Sequence, residues 1–244
     1  MNKSNLVFLD TETTGRGPED RLCQVAYKIK GEEFESLFKP PLPIEVEAMA
    51  ISHITNRMVA DKESFADSKM KKDLQEIFAG ENILVAHNAD FDAEMLKREG
   101  IEVSKTIDTL KLAHYLDKDG EVSRHSLQYL RYYFDLDVQD AQAHNALGDV
   151  RVLEKLFDLF FDKMMDEIIS DEKSIIEKML EVSALPILIK RFNFGKYSGE
   201  KVEEVAEKDF GYLRWLYDQK IAAKIQGLEN DANWIYTLEK YLKQ

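Results

Sequence analysis

The sequence predicts an α/β fold: a mixed sheet flanked by helices through about residue 160, followed by a small appended unit. Three observations carry this. Strand-like segments at residues 6–9, 22–29 and 34–38 follow one another closely, as in an antiparallel meander. Beyond them, short apolar runs are interleaved with longer stretches of helical period, the pattern of strands covered by helices. Near residue 184 a charged helical stretch gives way to a segment rich in aromatic and basic residues. The expected organisation is therefore a main domain at 1–161, a charged helical connector at 162–183 and a C-terminal unit at 184–244.

Taken in order, the first strand is the apolar run Leu6-Val7-Phe8-Leu9. The second follows at 22–29, and the third alternates until Pro40, Pro41 and Pro43 stop it. Residues 44–51 and 56–59 read as short helices around a loop, and 65–78 as an amphipathic helix closed by Gly80. Ile83-Leu84-Val85-Ala86 is fully apolar, as a central strand requires. Helical period returns over 91–98, with Phe91, Met95 and Leu96 on one side and Gly100 at the end. Residues 106–109 fit a further strand end, and 110–116 and 126–134 two further helices. A strong helix over 147–161 runs into the charged segment 162–182, and the tail 230–244 is a last helix with Trp234, Leu238 and Tyr241 on one side.

At 244 residues, 44% hydrophobic and 32% charged, the chain has the composition of an ordinary globular protein. No apolar run approaches membrane-spanning length, and Met1-Asn2-Lys3-Ser4-Asn5 leads into a strand without a signal peptide, so the expectation is a cytoplasmic protein with no membrane partner. The single cysteine, Cys23, excludes an intrachain disulfide and sits among apolar neighbours as a small core residue. A net charge of −13 argues at first sight against a nucleic-acid partner. Carboxylates gathered around metal ions add negative charge that the bound ions offset, however, so the sum is a weak guide.

Three acidic elements stand out. Asp10 and Glu12 follow the first strand at spacing two, so an extended backbone projects both carboxylates to one face. Burying two such charges together is expensive unless a cation lies between them; the alternative is a solvated strand end. Hard oxygen donors without Cys or His suit Mg²⁺ or Mn²⁺. The second element, His87-Asn88-Ala89-Asp90-Phe91-Asp92, directly follows the apolar strand, where ligands of open α/β sheets bind. Asp90 can instead be a helix N-cap and Asp92 a first-turn acid. The third is His144-Asn145-Ala146-Leu147-Gly148-Asp149. Five helical residues rotate by about 140°, so His144 and Asp149 converge only if His144 lies in a loop before the helix.

D-x-E at a strand end, H-N-x-x-F-D after a second strand and H-x-x-x-x-D at a helix start, in this order, resemble the DEDDh branch of the DnaQ-like 3′–5′ exonucleases. The joint occurrence of three separately spaced motifs is far more specific than any one of them. The resemblance implies a ribonuclease H-like mixed five-stranded sheet, with Asp10, Glu12, Asp92 and Asp149 as metal ligands and His144 as general base. Asp92 takes the third place because it follows Phe91 as in the family's pattern. Residues 47–55 with 58–62, and Phe192-Asn193-Phe194-Gly195-Lys196-Tyr197-Ser198-Gly199 with 209–216, are similar to the exodeoxyribonuclease X group of that family, so the resemblance covers most of the chain. The charged stretch 162–181 is a departure, longer than the family's connection.

The implied chemistry is phosphodiester hydrolysis with two Mg²⁺ or Mn²⁺, releasing nucleoside 5′-monophosphates from the 3′ end of DNA, single-stranded or at 3′ ends. Glu12 and His144 are the catalytic pair; an unperturbed imidazole, with a pKa near 6.5, can accept a proton from water at neutral pH. Thr13, His53 and Asn88 are expected to hold the terminal nucleotide. Two alternatives stand beside this: an exoribonuclease trimming RNA, since the same site cuts either sugar, and a catalytically silent proofreading or adaptor module. An adaptor would not need all five of these residues. In the C-terminal unit, Phe192, Phe194, Tyr197, Tyr212 and Trp215 interleave with Lys190, Arg191, Lys196 and Arg214, a mixture that suits either nucleic-acid contact or a small core.

Overall fold

A computed structural model describes residues 3–138, 146–168, 171–228 and 230–243. The opening meander is present as β1 (Leu6–Thr13), β2 (Leu22–Ile29) and β3 (Glu32–Leu37), each antiparallel to the next. β4 (Ile83–Ala86) and β5 (Thr106–Asp108) add in parallel on the other side of β1, which gives the order β3-β2-β1-β4-β5. β1 is thus the middle strand, and it extends past its apolar run: Asp10 pairs with Ala26 and Glu12 with Gln24 before the register shifts at Thr13. The two acids lie inside the sheet's central strand.

The helices of this part of the chain are α1 (Val46–Ser52), α2 (Asn56–Val59), α3 (Lys69–Phe78), α4 (Ala89–Arg98), α5 (Thr109–Leu116), α6 (Leu127–Tyr133), α7 (Ala146–Ile168) and α8 (Glu172–Ala184), of which α4 packs on β1, β4 and β5 and α7 on β1, β2 and β3. The helix expected over 65–78 is two pieces, a 3₁₀ turn at Phe65–Asp67 and then α3. Ser68 breaks it, because its hydroxyl accepts from the Lys71 N–H at 3.1 Å and starts a new helix as an N-cap.

Period two sorts the side chains of β1. Val7 and Leu9 join a core with Leu74 and Phe78 of α3 and Met95 and Leu96 of α4. Phe8, on the opposite face, meets Phe157 of α7 edge to face at 5.4 Å, and α7 packs along β1 and β2. A smaller cluster of Cys23, Ile44, Ile54 and Val59 seats α1 and α2.

The chain forms two compact units, Met1–Leu110 with Ser126–Ser183 and Lys111–His125 with Ala184–Gln244. The charged stretch read as a connector falls in the first unit. Its apolar positions recur at helical spacing, so Met164, Ile175, Ile176 and Met179 are fully buried while the charges face outward. The second unit contains α9 (Val202–Lys208), α10 (Phe210–Ile225) and α11 (Ala232–Leu242), packed around Phe192, Val205, Leu213, Leu216, Trp234 and Leu238. Its segment before α9 folds back on itself through Gly199 N–H to Phe192 C=O at 2.7 Å and Val202 N–H to Lys190 C=O at 2.9 Å. Gly195 and Gly199 make that turn at φ 69° and 90°, which other side chains resist. Among the described residues no helix is long and apolar enough to cross a membrane.

Candidate metal centre

The alternation that sends Phe8 towards α7 sends Asp10 and Glu12 there too. Asp149 waits on that side, in the first turn of α7, where the helix dipole favours an acid. One carboxylate oxygen each from Asp10, Glu12 and Asp149 lie within 4.8 Å of one another. Asp92 comes from the other face of the sheet. It sits in the first turn of α4, 4% exposed, and accepts a 2.7 Å hydrogen bond from the Thr11 hydroxyl, the β1 side chain between the two acids.

Burial and mutual repulsion make this cluster costly in its ionised form. The Asp10 carboxyl is pushed well above the usual range, first by burial and then by Asp92, Asp149 and Glu12. Burial, with Asp149 and Asp92, raises Glu12 to about 7. Asp92 also reaches about 7, mainly through burial; the Thr11 hydrogen bond opposes the shift and Asp108 adds to it. Asp10, Glu12 and Asp149, held this close, favour a bound cation over free charges.

The cluster opens into a cavity of about 590 Å³. Besides the three clustered acids and Thr13, its wall includes Glu45, the N-cap of α1, and Glu47, Ala48 and Ile51 along that helix. That wall is tied to the exit of β1 by the Glu45 N–H to Thr14 C=O bond at 2.9 Å, and by a close approach at Gly15. A Cβ there would lie 2.6 Å from Asp20 Oδ2 and 2.7 Å from Glu45 Oε2, so any larger residue would have to displace those carboxylates.

Of the expected substrate residues, Thr13 lines the cavity and donates to the Gly15 carbonyl at 2.7 Å. His53 and Asn88 are not part of that lining. His53 is exposed at the C-cap of α1 with φ 59°, and Asn88 precedes α4 with φ 74°, its N–H donating to Asp108 Oδ1 at 3.0 Å. His144 lies outside the described residues. The sequence reading missed Gln128 of α6, whose Nε2 donates to Asp149 Oδ1. Its buried Oε1 has no hydrogen-bond partner among the described residues, and nothing in the local sequence marks it.

The mixed sheet, with acids converging on its central strand from α4 and α7, is a ribonuclease H-like nuclease architecture. Residues 7–157 match the RNase T exonuclease family, and the chain belongs to that family. Residues 192–220 match a second model, the Exodeoxyribonuclease X-like C-terminal family. Among its relatives, the chain is 34% identical over 220 residues to Exodeoxyribonuclease 10 of Escherichia coli strain K12, an alignment covering 87% of this chain and 90% of that protein. The solved structure of Exonuclease X in complex with 5′ overhanging duplex DNA is similar at TM-score 0.55 and 29% identity, covering 73% of this chain and 99% of that one. E. coli Exonuclease I in complex with a dT13 oligonucleotide shares the fold, at TM-score 0.53 and 20% identity, over 74% of this chain and 46% of that one.

Proposed function

We propose that the chain is a metal-dependent 3′–5′ exodeoxyribonuclease that releases nucleoside 5′-monophosphates, with Asp10, Glu12, Asp92 and Asp149 holding two Mg²⁺ or Mn²⁺ and His144 as general base. The observation that carries this is the convergence of Asp10, Glu12 and Asp149 within 4.8 Å at an open cavity. The donors suit the ions: they are carboxylate oxygens, and burial together with neighbouring acids raises their pKa values, which a cation would offset. When bound, divalent ions neutralise charge developing on the scissile phosphate.

The protein's own residues supply the rest. Thr11 holds Asp92, and Gln128 holds Asp149, so each carboxylate keeps one orientation. Thr13, which lines the cavity, is the proposed contact of the terminal nucleotide, with His53 and Asn88 as further proposed contacts. His144 takes the proton from the attacking water, and Glu12 aligns that water beside the phosphate. DNA as the substrate is supported by the relatives' names and by the DNA in the similar complexes.

The test is degradation of 3′-end-defined single-stranded DNA, duplex DNA and RNA side by side. The expected result is stepwise shortening of DNA from its 3′ end with release of 5′-mononucleotides, supported by Mg²⁺ or Mn²⁺ and stopped by EDTA. No shortening of any substrate would point to the silent module, and faster trimming of RNA than DNA would point to the exoribonuclease.

A further inference from the structure

We infer that the edge of α10 formed by Tyr212 and Trp215 is a stacking site for single-stranded DNA, with Lys196 against Tyr212 and Arg214 exposed on the same helix. This rests on the reading of the chain as a nuclease acting on DNA. α10 carries apolar side chains around its whole circumference. Leu213 and Leu216 are buried in the core of the unit, yet Phe210 and Trp215 face outward, 48% and 53% exposed. Neither ring belongs to the core cluster of that unit, and Trp215 instead continues the ring surface of Tyr212.

What would bind is set by the neighbouring charges. The Trp215 ring lies 5.5 Å from that of Tyr212 at an angle of 32°, and Lys196 Nζ stands 4.9 Å from Tyr212 and 4.7 Å from Tyr197. Arg214, exposed on the same helix, makes no ion pair with any described residue. Asp209, the N-cap of α10, is engaged: it accepts from the Tyr197 hydroxyl at 2.6 Å and the Tyr212 N–H at 3.1 Å, and pairs with Lys196 at 2.9 Å. Asp218 is the other acid on the exposed side of α10. The larger charge pattern agrees. Residues 184–244 hold ten Lys or Arg against nine Asp or Glu, whereas residues 1–183 hold 23 against 37, so the C-terminal segment is where a polyanion meets least repulsion. Flat aromatic faces beside cations suit bases and phosphates together, and only an unpaired strand presents its base faces.

The chain's two tryptophans make the test direct, because Trp234 is buried at 4% and Trp215 is 53% exposed. The full-length chain in EDTA is titrated with fluorescein-labelled and unlabelled oligothymidylate, following anisotropy and tryptophan emission respectively. Binding should quench the emission. Trp215→Phe, which keeps an aromatic face, should retain the affinity and lose the quench. Trp215→Ala should bind roughly 5- to 100-fold more weakly, and Arg214→Gln should reduce the slope of log affinity against log salt by about 0.7. Circular dichroism of each variant checks the fold. An unchanged affinity in Trp215→Ala overturns the stacking site. So does a concentration-dependent dimer, seen by sedimentation, that Trp215→Ala dissolves without changing oligonucleotide affinity, since the face is then a contact between copies. The underlying nuclease reading fails separately, if the parent chain hydrolyses neither DNA nor the p-nitrophenyl ester of thymidine 5′-monophosphate.

Discussion

Two sets of carboxylates in this molecule have opposite fates. Around the second half of β1, Asp10 and Glu12 are half-buried and Asp92 of α4 is buried, and their pKa values rise, Glu12 and Asp92 to about 7. In the C-terminal unit Asp209 falls to about 2, because Tyr197, Lys196 and the Tyr212 N–H all donate to it. Asp209 is satisfied by its own chain and serves as an N-cap and staple. In the β1 cluster burial and the neighbouring acids disfavour the anions of Asp10 and Glu12, while Thr11 donates to Asp92 and Gln128 to Asp149. A carboxylate that its neighbours stabilise as an anion holds structure together; one whose anion its surroundings disfavour is suited to a cation.

The sharpest way to break this contrast is to remove one charge from the cluster. Asp10→Asn should abolish metal-dependent hydrolysis, a loss of more than roughly a thousandfold, while raising the metal-free melting temperature, because a repelling charge is gone. Near-normal Mg²⁺-dependent turnover in this variant would contradict the proposed ligand set. His144→Ala should lower turnover by roughly two to four orders of magnitude, with metal affinity little changed and the acidic limb of the pH–rate profile removed. Parallel losses in metal affinity and rate would make His144 a ligand or a prop.

The two sets also respond to pH with opposite sign. Acids whose folded pKa is raised bind more protons folded than unfolded between the ordinary carboxylate range and about 7, so they cost stability as pH rises through that window. In EDTA the melting temperature of the parent should therefore fall relative to Asp10→Asn from pH 5 to pH 8. Mg²⁺ should restore it more at pH 8 than at pH 5. A parallel pH dependence for both proteins would mean the cluster is not under strain. Asp209, with a depressed pKa, contributes stability that is present above the ordinary carboxylate range and lost as pH falls towards 2. The smallest effect expected is for Asp209→Ala: a lower melting temperature at neutral pH and no difference from the parent at the acid extreme, read by circular dichroism.

How much of this was legible in the sequence depends on how local the cause is. The shared face of Asp10 and Glu12 follows from the period of an extended strand, and so could be read directly. Asp149 faces them only because α7 packs across β1 and β2, and a motif pointed to it where periodicity could not. The Thr11–Asp92 and Gln128–Asp149 bonds join residues 81 and 21 positions apart, and no local pattern encodes them. Ser68 interrupts a helix because its hydroxyl caps the next one, which apolar spacing does not reveal. In the second unit composition announced aromatic residues without sorting them. Trp234 is core and Trp215 is surface, a difference made by how α10 and α11 pack.

The most direct test of the account is calorimetric titration of Mn²⁺ into the full-length chain at pH 8, comparing the parent with Asp10→Asn, Asp149→Asn and, as the contrasting acid, Asp209→Asn. The account predicts saturable binding to the parent, weakened more than roughly tenfold or lost in the first two variants and unchanged in the third. A parent that binds no Mn²⁺, or an Asp10→Asn variant that binds it as tightly as the parent, would contradict it.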